Sequence, residues 1–164
     1  MQQSVRPRRV AMHLDAHHQD VTEDEEPITV RSSRLGRARV LIADDDADMR
    51  DVVSETLRSS GYFTNSADSG FAFIDSIVEI EEGLRPMDGV DLVLIDNRMP
   101  GMSGLDALRA MRGADRWVPA ILMTAYPSAA VEAEARRLHA VVLPKPFDRE
   151  TLRQAVLTAL LPRT

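Results

Sequence analysis

The sequence predicts an α/β domain in which a mostly parallel, five-stranded sheet is wrapped by five helices, with a tail in front of it. Three observations carry that expectation. From Arg37 onward short apolar runs alternate with segments of helical period, the succession that repeated βαβ units produce. One run, Leu92-Val93-Leu94-Ile95, is apolar at every position, which suits a strand covered by helices on both faces of a parallel sheet. Residues 1–36 break the pattern: Arg6, Arg8 and Arg9 precede an acidic run, Glu23-Asp24-Glu25-Glu26, and apolar residues never fall into a sustained period. That stretch reads as a mobile tail, and residues 37–164 as a single domain long enough for one core.

The elements follow in order. Val40 to Ala43 form the first strand, and Asp46 caps a helix with the stripe Met49, Val52, Val53, Thr56 and Leu57, ending near Gly61. A weaker strand, Tyr62 to Ser66, precedes a helix with Phe71, Ile74, Ile77 and Val78 on one side, frayed by Glu81, Glu82 and Gly83. A loop marked by Pro86 and Gly89 leads into the apolar run at 92–95. After Pro100, Gly101 and Gly104 comes a short helix carrying Leu105, Leu108 and Met111, then a strand from Val118 to Met123. Ser128 caps a helix running to about Leu138. Val141 to Leu143 form the last strand, and beyond Pro144-Lys145-Pro146 a helix capped by Asp148 shows Leu152, Ala155, Val156, Ala159 and Leu160 on one face.

Composition narrows the chemistry. The 164 residues carry 26 acidic and 20 basic side chains, a formal charge of −6, and no cysteine. Disulfides, thiolate nucleophiles and Cys-ligated metal centres are excluded, so a hard cation held by oxygen is the natural metal. No apolar run approaches the roughly 18 residues needed to cross a bilayer, and no signal-peptide core is present, which places the chain in the cytoplasm without a membrane partner. Mild acidity without a basic patch argues against direct nucleic-acid binding. His13, His17 and His18 are close in sequence, but nothing nearby would hold them in a ligating geometry.

In open parallel sheets the binding crevice lies beyond the carboxyl ends of the strands. There the first strand ends on Asp44-Asp45-Asp46, the third on Asp96, the fourth on Thr124 and the fifth on Lys145. Asp44, Asp45 and Asp96 gathered together would repel one another, so either their pKa values rise or a cation neutralises them. Mg²⁺, which takes few carboxylates and keeps several waters, suits such a set, with Mn²⁺ as a substitute. One helix cap needs one Asp, whereas three stand in a row. Thr124 alone would read as a strand-end hydroxyl bonded to backbone, and Asp96 alone as a loop acid. Lys145 is the single lysine among 20 cationic residues and lies between two prolines, where a compact ammonium delivers a point charge.

These residues resemble the receiver domain of two-component response regulators. The matching stretches are Val40 to Asp46, Asp91 to Gly104 (DLVLIDNRMPGMSG), Ile121 to Ala125 (ILMTA) and Leu143 to Phe147 (LPKPF). The resemblance implies a flavodoxin-like fold with strand order 2-1-3-4-5. It implies that Asp96 accepts a phosphoryl group from a histidine kinase or histidine phosphotransfer protein, and that the chain is no enzyme beyond self-phosphorylation from a phosphodonor and autodephosphorylation at Asp96. It further implies Mg²⁺ at Asp45, Asp96 and the Arg98 backbone carbonyl, with Asp44 acting largely through water. Lys145 and Thr124, helped by the Ala125 backbone N–H, would contact the phosphoryl oxygens. Output would pass to a downstream protein through the surface of the fourth helix, fifth strand and fifth helix, with a homodimer on phosphorylation as one form of it.

The chain departs from the family in two places. Val142 stands where an aromatic residue often swings inward as the switch, and His139 stands where a Gly often ends the fourth helix; His tolerates a positive φ and can serve as that cap. Tyr126 reads as a partly exposed loop residue, with an aromatic contact as the alternative. Two other functions compete. A haloacid-dehalogenase-like phosphatase would use Asp44 as nucleophile and Asp46 as acid/base, but no cap domain or second acidic pair follows, and Asp96 would be idle. A receiver-fold docking module that acts without phosphorylation is favoured by Val142 and opposed by the complete acidic set. The chain ends soon after the fifth helix, so it is read as a stand-alone regulator or an excised receiver.

Overall fold

The computed structural model describes residues 38–81 and 89–161. The expected tail and its three histidines, the fraying at Glu82 and Gly83, and the turn at Pro86 lie outside the described residues. Within them, five strands alternate with five helices: β1 (Arg39–Ala43), α1 (Ala47–Ser59), β2 (Phe63–Ala67), α2 (Gly70–Glu81), β3 (Leu92–Asp96), α3 (Gly104–Gly113), β4 (Ala120–Thr124), α4 (Ala129–Arg137), β5 (Ala140–Pro144) and α5 (Arg149–Leu160). The strands are parallel in the order β2-β1-β3-β4-β5, as expected. Val40 stands beside Leu92, Leu94 beside Ile121 and Met123 beside Leu143, so one register aligns the carboxyl ends along a single rim. Among the described residues no helix is long and apolar enough to cross a membrane.

Alternation along the strands builds two cores. Val40, Ile42, Leu92, Leu94, Ile121 and Met123 pack with Val53, Leu57, Leu152 and Val156, from α1 and α5. Leu41, Ala43, Val93, Ile95 and Leu122 face the other way, onto Phe73 and Ile77 of α2, Leu108 and Met111 of α3 and Ala135 of α4. Every residue of β3 and β4 is buried, whereas the edge strands β2 and β5 are partly open. Each fully buried Leu, Ile or Val contributes about 1.5–3 kcal/mol of transfer free energy, before the cost of chain ordering is subtracted.

The helix ends follow local chemistry. Asp46, Ser128 and Asp148 cap α1, α4 and α5, each side chain accepting backbone N–H groups of the first turn. Gly61 adopts φ +91°, and the Tyr62 N–H reaches back to the Leu57 carbonyl at 3.1 Å, closing α1. His139 takes φ +54° just past α4, the role expected for it in place of glycine. Asp115 does the same after α3 at φ +60°, and Ser103 caps that helix; neither was expected.

Several details correct the sequence expectations. In α2 the buried aromatic is Phe73, fully enclosed, while Phe71 and Val78 are 57% and 45% exposed. The helix starts at Gly70, where the Ser69 hydroxyl accepts the Ala72 N–H at 3.2 Å, and it packs on the sheet through Phe73 and Ile77, which lie one turn apart on one face. Val52 is likewise 44% exposed, about 100° around α1 from buried Val53. β4 begins at Ala120 rather than Val118, because Pro119 has no N–H for the ladder; its carbonyl still accepts the Val93 N–H at 3.0 Å.

Candidate functional site

The carboxyl ends of β1, β3, β4 and β5 bring Asp44, Asp96, Thr124 and Lys145 to one rim. Asp44 is 1% exposed, and Asp96 and Thr124 are nearly as enclosed, whereas Asp45 is open to solvent. The lysine crosses the cluster: its Nζ lies 2.7 Å from Asp44 Oδ2 and 2.8 Å from Asp96 Oδ1. Both acids are further pinned by backbone, since Asp44 Oδ1 accepts the Asp46 N–H at 3.0 Å and Asp96 Oδ2 accepts the Arg98 N–H at 2.8 Å. Thus each buried carboxylate has one oxygen on the ammonium and the other on an amide.

Burial pushes the Asp96 carboxyl above the usual range; Lys145 and the Arg98 N–H pull it down, and the neighbouring Asp44 charge pushes it up again. For Lys145 burial works against the ammonium, but hydrogen bonds and charges from Asp44 and Asp96 outweigh it, and the net shift is upward. The acid is thus shifted mainly by burial and the lysine by its two carboxylate partners, while three carboxylates face one ammonium, an excess of negative charge.

That imbalance and the donor chemistry test the site for a divalent ion. Asp44, Asp45 and Asp96 each offer a carboxylate oxygen within 4.8 Å of the others. Oxygen donors alone, few of them, and two formal negative charges beyond what Lys145 neutralises fit Mg²⁺ or Mn²⁺. Among the described residues Asp45 forms no hydrogen bond or ion pair, and of the three carboxylates it is the most exposed.

Around this centre, Thr124 Oγ1 accepts the Tyr126 N–H at 3.1 Å, and the Thr124 carbonyl accepts the Lys145 N–H at 2.7 Å, tying β4 to the lysine-bearing segment. The Lys145–Pro146 peptide bond is cis. Ala125 is exposed beside Thr124, and Val142 is half-buried against the α2–α4 side of the core. Tyr126 is 61% exposed, as expected of a loop residue, yet the Arg98 guanidinium also sits 4.0 Å from its ring centroid.

Two contributors escaped the sequence reading. Arg50, one turn into α1, donates from Nη1 to the Asp44 carbonyl at 2.7 Å and fixes the acidic turn from below. Gly104 lies against the end of β3 so closely that a Cβ there would collide with the Asp96 carbonyl oxygen, and its N–H bonds to the Asn97 carbonyl at 3.1 Å. The MPGMSG run carries the signal for such a close approach, but which glycine meets which atom depends on how α3 folds back on β3.

Comparison with known proteins gives one consistent result. Residues 40–157 match the family described as the response regulator receiver domain. The chain is 34% identical over 119 residues to Sporulation initiation phosphotransferase F of Bacillus subtilis, an alignment covering 72% of this chain and 90% of that protein. It is 36% identical over 123 residues to Regulatory protein AtoC of Escherichia coli, covering 74% of this chain but only 25% of that longer protein. The chemotaxis protein CheY4 of Vibrio cholerae superposes with a TM-score of 0.67 at 28% identity, over 76% of this chain and 99% of that one.

Proposed function

The chain belongs to the response regulator receiver domain family of two-component systems, and on that premise we propose that Asp96 is its phosphoacceptor. The observation that carries the proposal is the lysine ammonium held between Asp44 and Asp96 at 2.7 and 2.8 Å, beside a third, open carboxylate. A carboxylate oxygen of Asp96 attacks the phosphorus of a phosphohistidine on a kinase or phosphotransfer protein. The new P–O bond forms as the P–N bond breaks, and the electron pair leaves with the imidazole.

Phosphoryl transfer asks the protein mainly for positioning and charge neutralisation. Lys145 supplies a fixed positive charge beside the attacking oxygen, and the Arg98 N–H holds the other oxygen in place. Asp45, Asp96 and the Arg98 carbonyl would ligate Mg²⁺, with Asp44 behind them acting through water; the ion's role when bound is to offset charge on the phosphoryl oxygens. Thr124 and the Ala125 N–H would bond a phosphoryl oxygen, the Thr124 hydroxyl donating its proton to that oxygen and drawing its loop inward while its own oxygen can still accept the Tyr126 N–H. Because the Thr124 carbonyl holds the Lys145 N–H, that movement is passed to β5 and to the α4-β5-α5 surface offered to a downstream protein or a second copy. Val142 makes this a switch without the usual inward aromatic.

The test is incubation with acetyl phosphate and Mg²⁺ followed by intact-mass measurement. Wild type gains one phosphoryl group, and Asp96→Asn gains none. Absence of labelling in the wild type, under conditions that label a control receiver, would overturn the proposal in favour of phosphorylation-independent docking; undiminished labelling of Asp96→Asn would move the acceptor elsewhere.

A further inference from the structure

At the opposite end of the sheet from Asp96, where β4 and β5 begin and α3 and α5 end, lies a cleft of about 350 Å³. Its lining includes Arg112, Trp117, Pro119, His139, Leu160 and Leu161. We propose that this cleft receives the chain's own acidic and apolar stretch Glu23 to Val30.

The first argument is an unbalanced charge. Arg112 is only 9% exposed, yet its two hydrogen bonds, Nε to the Leu138 carbonyl at 2.9 Å and Nη1 to the Arg116 carbonyl, both end on neutral backbone. Its guanidinium lies 5.2 Å from the Trp117 ring centroid, and burial holds its pKa below the usual arginine value. Buried cations are normally paired, and among the described residues no carboxylate does so. Asp115 at the rim is engaged by the Trp117 indole N–H at 2.8 Å.

The second argument is the apolar wall. Trp117 is 56% exposed and meets His139 edge-on at 5.1 Å, while Leu161 is 49% exposed. The cleft therefore presents a cation beside an open aromatic and aliphatic surface. Glu23-Asp24-Glu25-Glu26 is the longest uninterrupted acidic run in the sequence, and Ile28 and Val30 follow it two residues apart. In extended chain those two share one face, and Pro27 biases Glu26 toward that conformation.

The third argument is reach. The described chain enters β1 at the same end of the sheet as the cleft, and β1 is separated from β4 by β3 alone, roughly 10 Å at ordinary strand spacing. Residues 31–37 span up to about 23 Å when extended, enough to bring Val30 to the cleft from Ala38.

The test uses the full chain, which has no cysteine and a single tryptophan. A spin label on Thr29→Cys is expected to broaden the Trp117 indole resonance and the amides of Val118, His139 and Leu160, and to leave those of Asp44 and Asp96 unaffected. Neutralising the run with E23Q, D24N, E25Q and E26Q together, or replacing Ile28 and Val30 by Ser, should raise acrylamide quenching of Trp117 at least twofold. Even or absent broadening, or quenching unchanged in both variants, overturns the proposal. So does broadening carried from labelled chains to unlabelled, isotopically enriched ones in a mixture, which would make a second copy the occupant.

Discussion

Replacing Lys145 by methionine keeps most of the apolar stem and deletes an ammonium that lies 2.7 Å from Asp44 and 2.8 Å from Asp96. At an effective dielectric of about 20 each contact is a gross attraction of about 6 kcal/mol, most of it offset by the desolvation of the groups involved. Removing one partner of a buried pair costs about 3–5 kcal/mol net, because the remaining charge stays buried. The lysine side chain is 16% exposed, so solvent screens part of the loss, and the lower end, about 3 kcal/mol, is expected. With a urea m-value of about 2 kcal/mol/M, the midpoint should fall by roughly 1.5 M at pH 7 in excess chelator. The deficit should also depend on pH in a set direction. Asp96 already titrates above its ordinary value, and without Lys145 it climbs further. A carboxyl whose folded pKa exceeds its unfolded one favours the native state when protonated. The deficit is therefore smallest below the unfolded value, grows as pH rises toward the folded value, and is level above it. A midpoint within about 0.3 M of wild type at pH 7, well inside the shift expected from that m-value, would refute the reasoning. A deficit equal at pH 4 and pH 7 would refute it too.

Three further outcomes are expected. Phe73→Ala should cost about 3–4 kcal/mol in equilibrium unfolding, and Phe71→Ala about 0.5 kcal/mol or less, because only the former empties an enclosed site. Gly104→Ala should destabilise by about 1–3 kcal/mol and slow labelling by acetyl phosphate, since the added methyl must displace the Asp96 backbone; labelling at the wild-type rate would contradict that role. Mg²⁺ should raise the unfolding midpoint of the wild type, and Asp45→Asn should lose most of that increment while keeping its stability in chelator, as expected of an exposed ligand with no structural bond.

The sequence by itself determined the fold class, the order of elements and the identity of the rim residues. All three are written in local chemistry: uninterrupted apolar runs for β3 and β4, capping acids and serines before helices, and polar residues wherever a strand stops. His139 as a helix end was legible from the resemblance, since it stands where the family often has a Gly and His tolerates a positive φ. The tertiary structure decided whatever depends on a helix's rotation or on two chain segments meeting. Phe73 rather than Phe71 faces the sheet because α2 packs through Phe73 and Ile77, and two positions along a helix turn a side chain through about 200°. Gly104 matters through an Asp96 oxygen that only the return of α3 brings near, and Arg112 is enclosed where the Leu138 and Arg116 carbonyls, far apart from one another in sequence, converge on it. Side chains 101 positions apart, Asp44 and Lys145, meet because parallel register aligns the strand ends, a constraint no local stretch of sequence contains.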